Sequence, residues 1–358
     1  DEGKNTLVNE YYDFDLNVKE GVGLIATKNL DKDDIFLKVP RKLTISTETV
    51  LNSSIGHIIS HDELCLSMPS LAIACYLLIE RYNETSYYTP YFNVLAKPGD
   101  ITMPFQYNYD TLKALKGSNT YYDALNLKKA TIRQYVYCYR LMKRNGYLKN
   151  IPSFRYIDFQ WAIAIVMTRQ NSIPRHDNFE QNMIALIPAF DFCNHKSNGG
   201  YVTTYFDQLS DSSITSTMEP VKKGQPLYIY YGQRPNNLLF LFNGFIIDQH
   251  DTDTIQILLS LEKNDPLYKI KAMLLKKLMM NADKTGFVFP AASHQEMYAM
   301  LQYCRIATLT KEELTLCLKN KELIHQQEEP ITESNEIKAL HYFISTLELK
   351  LSQYPTTY

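Results

Sequence analysis

Apolar residues recur along the chain in two alternating regimes, a strand-like period of two and a helix-like period of three to four. Residues 18–40, VKEGVGLIATKNLDKDDIFLKVP, hold two apolar stretches on either side of the polar cluster 29–34, a pattern that predicts a β-hairpin. From about 50 to 155 the pattern is mainly helical. Within 64–82, Leu71, Cys75, Leu78 and Ile79 share one helical face; 127–144 predicts a second helix and 156–171 a third. Pro174 closes that third helix by restricting Ile173 to extended geometry. Short strands follow at ALIPAF, YVTTYF, SITSTME and PLYIYYG, with turns at Asn198-Gly199-Gly200 and Lys222-Lys223-Gly224 between them. From about 253 the helical period returns. Leu267, Ile270, Leu274 and Leu278 form one stripe, and Ile337, Leu340, Ile344, Leu347 and Leu351 another. Thr310 and Glu313 spell a capping box that starts a helix at about 311. The order is therefore β, helical insert, β, helical tail, with no repeat at a fixed period.

Composition narrows the class. The 358 residues suffice for about two domains, and 45% hydrophobic with 12% aromatic residues can fill a sizeable core, which excludes a disordered chain. Lys and Arg number 37 against 39 Asp and Glu, so no basic field exists to hold nucleic acid by counterion release. The six cysteines are scattered without a CxxC pair, which argues against a disulfide framework or a four-cysteine zinc site. The start, DEGKNTLVNEYY, is not a signal peptide, and no apolar run approaches the ~20 residues that span a bilayer. The expectation is a soluble, cytoplasmic protein, and because the chain opens on Asp1 rather than Met, upstream residues are expected.

Four local motifs carry candidate chemistry. Gly21-Val22-Gly23-Leu24-Ile25-Ala26 matches a dinucleotide fingerprint, but the stretch leads into a turn and not a helix; close approach of backbone to another ligand is the alternative. His57 and His61 stand four apart, a spacing that could hold a metal, yet no HExxH glutamate accompanies them, and surface or packing histidines are the default. DFCNH at 191–195 crowds polar groups behind an apolar run. It reads as a hydrogen-bonded turn, as a ligand cluster, or as a cysteine–histidine pair, though Cys193 and His195 are alternate residues that point to opposite sides of an extended chain. In YIYYG at 228–232, alternation puts Tyr228 and Tyr230 on one strand face and Tyr231 on the other; a packed β core explains it as well as chemistry does.

In series, EGVGL at 20–24, DFCNH at 191–195, VKKGQPLYIYYG at 221–232 and NGF at 243–245 resemble the SET-domain protein methyltransferases in order and spacing. The helical insert and helical tail resemble the subgroup typified by the Rubisco large-subunit methyltransferase. WAIAIVMTRQNSIP at 161–174, ALIPAFDFCNH and YIYYGQRPNN are most similar to the actin-histidine branch of it. The resemblance implies an α+β fold: a SET β-fold with a pseudoknot at 1–252, interrupted by the helical insert at about 50–155, then an all-α substrate-binding domain at 253–358. It implies S-adenosyl-L-methionine as cofactor, contacted by Glu20, Gly21, Val22, Arg169, Asp191, Phe192, Cys193, Asn194, His195, Asn243, Gly244 and Phe245. It further implies Tyr231 and Asn171 as catalytic residues, with Phe190 and Arg234 beside them on the substrate, actin as protein substrate, a monomer, and no metal, nucleic acid or membrane.

A histidine acceptor with a free pKa of ~6.5 is mostly neutral at pH 7, so it needs orientation more than a base, whereas a lysine at ~10.4 must first lose a proton. Asn171 matches the residue that holds the non-reacting ring nitrogen; a helix C-cap is its structural alternative. Where the actin-histidine branch has tryptophan against the imidazole, this chain has Phe190, which keeps an aromatic face and loses an N–H donor. A lysine methyltransferase of the same fold, and a non-catalytic binding module, are the alternatives.

Overall fold

The computed structural model describes residues 10–19, 21–149, 151–197, 201–290, 295–325 and 329–354. Glu20 and the turn expected at 198–200 lie outside them. The described strands are β1 (Tyr12–Val18), β2 (Gly21–Ala26), β3 (Ile35–Pro40), β4 (Ile45–Ser46), β5 (Gln170–Pro174), β6 (Asn182–Leu186), β7 (Asn194–His195), β8 (Thr204–Asp207), β9 (Ser212–Ser216), β10 (Pro226–Ile229), β11 (Thr254–Leu259) and β12 (Thr285–Pro290). They form small sheets ordered β1-β2-β10-β7, β3-β9-β8, β4-β6-β5 and β11-β12.

The hairpin expected over 18–40 does not form. β2 pairs with β1 on one side and β10 on the other, while β3 pairs with β9. The polar cluster 29–34 is no tight turn: Leu30 is buried and bridges to Val221, so the loop carries β3 into a different sheet. An apolar strand accepts whichever partner completes its buried face, and the alternating pattern does not say which.

The insert holds α1 (Pro69–Glu80), α2 (Thr89–Val94) and α3 (Asn119–Arg144), followed by α4 (Tyr156–Arg169). α1 and α4 are buried over most of their lengths, and they carry the core on which the sheets rest. α4 ends two residues earlier than its pattern suggested. Gln170 turns extended and opens β5, so Pro174 ends a strand and does not close the helix. After β10 come α5 (Asn236–Asn243), α6 (Tyr268–Lys277), α7 (Gln295–Ala307), α8 (Lys311–Lys319) and α9 (Glu333–Ser352).

Packing divides the chain into two units: 1–107, 126–233 and 240–244 form one, and 108–125, 234–239 and 245–358 the other. Each has its own apolar core. Residues 108–125 join the second unit through polar anchors, where Asn119 Nδ2 donates to the Gln256 carbonyl at 2.9 Å and Lys350 Nζ to Asn119 Oδ1 at 3.0 Å. The capping box forms as expected, Glu313 N donating to Thr310 Oγ1 at 3.2 Å and Thr310 N to Glu313 Oε2 at 2.9 Å.

Two expectations for the tail change. It is not all helical, since β11 and β12 form an antiparallel pair. The stripe Ile337, Leu340, Ile344, Leu347 and Leu351 lies on the outer face of α9, each residue at least 40% exposed, while Asn335 and Ala339 face inward. Buried hydrogen bonds fix that choice. Arg305, 3% exposed, is held by Glu336 through two contacts of 2.5 and 2.7 Å, and Asn335 Nδ2 donates to the Arg305 carbonyl at 3.0 Å. Rotating the stripe inward would strip a buried guanidinium of its partner, which costs more than exposing aliphatic side chains.

Candidate active site

The site grows from the sheet β1-β2-β10-β7 and the end of α4. β7 runs parallel to β10, with Asn194 opposite Tyr228 and His195 opposite Ile229, which sets the Asn-His pair beside the chain that leads to Tyr231. Asn194 Nδ2 donates to the Val22 carbonyl at 3.1 Å and so ties β7 to β2 across β10. That bond depends on a glycine. A Cβ at Gly23 would lie 2.8 Å from Asn194 Nδ2 and 2.8 Å from Val18 Cγ2. Gly23→Ala is therefore expected to destabilise the first unit by about 1–3 kcal/mol. In thermal melts the loss of Gly23→Ala combined with Asn194→Ala should be smaller than the sum of the two single losses; strict additivity would show that the Asn194 contact is not the cause.

Tyr231 is fixed at both ends. Its backbone N–H donates to His195 Nδ1 at 3.1 Å, and its hydroxyl donates to the Cys193 carbonyl at 2.8 Å. The first bond makes Nδ1 the acceptor, so the His195 proton sits on Nε2 when the ring is neutral. Strand alternation placed Tyr230 and Tyr231 on opposite faces, but β10 ends at Ile229, and both rings approach His195, with centroids 5.7 and 5.1 Å away.

Behind them lies a buried charge. Ala189 adopts φ +69°, a left-handed conformation that turns the chain into the short 3-10 helix Phe190–Phe192. The Asp191 side chain is fully shielded there. Arg169, the last residue of α4, donates from Nη1 to the Asp191 carbonyl at 2.7 Å, stands 3.6 Å from Asp191 Oδ1, and lies with Cζ 4.2 Å over the Phe192 ring. The Tyr91 hydroxyl, on α2, donates to Asp191 Oδ2. Oδ1 has no hydrogen-bond donor of its own. Burial pushes the Asp191 carboxyl up to about 6, against the opposing pull of Arg169 and Tyr91. Burial first, and Asp191 second, likewise raise the Tyr91 phenol.

Cys193 is fully buried, and burial drives its thiol upward, away from the thiolate a nucleophile needs. Asn171 sits on β5, opposite Ala185, and its Nδ2 donates to the Arg169 carbonyl at 3.0 Å. It is not the cap residue, which is Gln170, yet it does satisfy a carbonyl at the helix end. Phe190 is 4% exposed. Asn243 ends α5, and Gly244 follows at φ +82°, where a Cβ would meet Met103 Sδ at 3.0 Å; a glycine past the last turn ends the helix without strain. Arg234 and Phe245 fall in the second unit, where the Arg234 carbonyl meets His250 Nε2 at 2.8 Å.

The structure thus brings together Gly21 to Gly23, Arg169, Asn171, Asp191 to His195 and Tyr231 within the first unit. Sequence reading missed Tyr91, whose partner lies 100 residues away and which no local pattern marks. His57 and His61 are both exposed. His61 Nδ1 approaches the His57 carbonyl at 2.8 Å, and among the described residues no group of three or more His, Cys, Asp or Glu could hold a metal. β2 continues as a strand with no helix behind it, so the glycine pattern lacks the context of a dinucleotide fingerprint.

Known proteins place this arrangement. Residues 262–358 match the family described as Rubisco LSMT substrate-binding. The actin-histidine N-methyltransferases of Homo sapiens and Gallus gallus are each 32% identical, over 351 and 350 residues, or 95% of this chain. The chain spans 58% of the length of those relatives. Among solved structures, Rubisco LSMT bound to AdoMet aligns with a TM-score of 0.77 at 23% identity, covering 99% of this chain and 80% of the other. The SET domain of LSMT bound to lysine and AdoHcy gives the same TM-score at 22% identity and the same coverage. With that alignment over nearly its whole length, the chain has the SET-domain fold of the Rubisco large-subunit methyltransferases, its residues 262–358 match that group's substrate-binding family, and it is similar over 95% of its length to the actin-histidine N-methyltransferases.

Proposed function

We propose that the protein is an S-adenosylmethionine-dependent protein-histidine N-methyltransferase acting on actin, with residues 1–252 as its catalytic region and 253–358 as its substrate-binding region. The observation that carries this reading is the pair of hydrogen bonds at the adjacent Asn194 and His195, Tyr231 N–H to His195 Nδ1 and Asn194 Nδ2 to the Val22 carbonyl, in a chain similar to enzymes with that activity.

The residues present suit the cofactor. Gly21 has open space at its missing Cβ and φ +101°, so backbone can approach a ligand there. Arg169 keeps 16% of its side chain exposed, enough to offer charge to a carboxylate while Asp191 holds it from behind. The half-buried Asn194 and His195 are proposed to line the cofactor site with Val22, Phe192 and Cys193, and Asn243 and Gly244 to complete it. Bound there, the sulfonium supplies an activated methyl group.

The chain's own residues do the rest by orientation and exclusion of water. Tyr231, anchored through its N–H and its O–H, stands where its hydroxyl can align the attacking nitrogen. Asn171 offers a side-chain amide that can select the tautomer of an incoming imidazole, because an amide presents both a donor and an acceptor at fixed distance. Phe190 supplies an apolar ring wall. Arg234 is proposed to contact the substrate chain and Phe245 the cofactor. The cytoplasm, where actin resides, is the proposed location, and the monomer the proposed state.

The test is incubation of the protein with S-adenosylmethionine and unmethylated actin, with modified residues located by peptide mass spectrometry. A methyl on a histidine is expected. Asn171→Ala should reduce kcat/KM about tenfold to a hundredfold, the cost of one lost orienting hydrogen bond, while cofactor affinity measured by calorimetry stays within a fewfold. Methylation confined to lysine would overturn the histidine assignment and make Phe190→Trp the next variant. A folded protein that binds no cofactor would instead leave only a binding module.

A further inference from the structure

Outside the residues assigned above, the first unit holds a pocket on the far end of β10. Its empty space, open mouth included, is about 520 Å3. Phe36 from β3, Met218, Leu227 and Tyr228 supply apolar walls, and Lys196 and Glu219 form an ion pair at the edge. Lys196 Nζ also lies 5.8 Å from the centroid of the Tyr228 ring. Phe36 and Leu227 are 1% and 2% exposed, so the floor is rigid core and only the mouth is open to solvent.

The pocket's position gives it meaning. It adjoins the candidate active site along β10 and the end of β7: Tyr228 precedes Tyr231 by three residues, and Lys196 directly follows His195. Three residues of extended chain span at most about 10 Å. A polypeptide that presents one side chain at Tyr231 therefore reaches the pocket with a residue about three positions away. A concave apolar site with a few polar groups at its edge accepts an apolar side chain while the edge can pair with the polar backbone that carries it.

We propose that this pocket is a specificity subsite that takes an aliphatic or thioether side chain of the substrate polypeptide, about three residues from the residue that is methylated. The proposal rests on the methyltransferase reading of the site. Lys196 and Glu219 then lie beside the backbone of the bound segment, and Met218, an adaptable thioether, sets the depth of the pocket.

The probe is a series of fluorescent peptides in a Gly/Ser background, with the target histidine fixed and one Leu moved through every position from four before it to four after it. Binding is read by anisotropy on protein loaded with S-adenosylhomocysteine, so no turnover is needed. One position about three residues from the histidine should bind about ten- to a hundredfold more tightly with Leu than with Ser, the gain from burying one such side chain. Met218→Trp, which fills the pocket, should abolish that preference, and Met218→Ala, which deepens it, should shift the optimum to Phe. Unchanged melting temperature and cofactor affinity show that both variants fold. A flat profile, no peptide binding, or a Leu preference that survives Met218→Trp overturns the subsite while leaving the methyltransferase reading intact. Failure to bind S-adenosylmethionine strikes that reading itself, and the subsite with it.

Discussion

Tyr231→Phe is expected to lower the rate of methyl transfer by about 10²–10³-fold, the usual cost of removing one preorganised polar contact at a reacting centre. The effect should appear in kcat. The ring, the backbone N–H to His195 Nδ1 and the neighbouring strand are all retained by phenylalanine, so the frame of the site stays in place. What disappears is the hydroxyl that donates to the Cys193 carbonyl at 2.8 Å. Cofactor affinity should therefore change by no more than a fewfold, and the melting temperature by a degree or two, because one half-buried hydrogen bond contributes about 1 kcal/mol. Single-turnover transfer to actin, followed by mass spectrometry, checks it. Full activity in the variant would remove Tyr231 from the chemistry.

The second large effect concerns stability and its dependence on pH. Arg169→Met is expected to cost about 2–4 kcal/mol at pH 8. Up to roughly 2.7 kcal/mol arises because the buried Asp191 carboxyl loses its cation and must take up a proton at a pH about two units above its folded value, and the rest comes from lost contacts. Asp191 ordinarily titrates at 3.8, and burial in the folded chain raises it to about 6. Between those values the unfolded chain releases a proton that the folded chain keeps. This group's contribution to stability therefore falls as pH rises through the window, and its penalty is complete above about 6. Without Arg169 the folded carboxyl moves higher still, so the deficit of the variant is greatest in mild alkali. At pH 5 the carboxyl is protonated in both folded proteins and the charge term vanishes. Only the lost Phe192 contact and the guanidinium's bond to the Asp191 carbonyl then remain. Urea unfolding at the two pH values gives the comparison, and an equal deficit at both would show that Arg169 acts by packing alone.

The two predictions draw on different kinds of information. Tyr231, Asn194, His195 and Arg169 stand in short contiguous motifs, and the structure brings these four residues together within the first unit, a gathering that the motifs themselves suggest. Tyr91 was not legible in this way. It lies in a helix of the insert, and only folding brings its hydroxyl onto a carboxylate that it partly controls. The pocket at Phe36, Met218 and Tyr228 is likewise assembled from three separate stretches.

The same distinction runs through the fold. Local sequence determined the β, helical, β order of the first part, the capping box at Thr310 and the helix at 127–144, because turn chemistry, capping and side-chain period act over a few neighbouring residues; it did not reveal the β11–β12 pair in the tail. Tertiary structure alone decided that β2 pairs with β10 and not β3, since an alternating strand is indifferent among partners that cover the same face. It alone decided that α9 turns its aliphatic stripe outward, because the buried Arg305 needs Glu336 more than the core needs Ile337 or Leu340. Apolar burial is non-directional and can be satisfied by many surfaces, whereas a buried charge accepts only the geometry that pairs it.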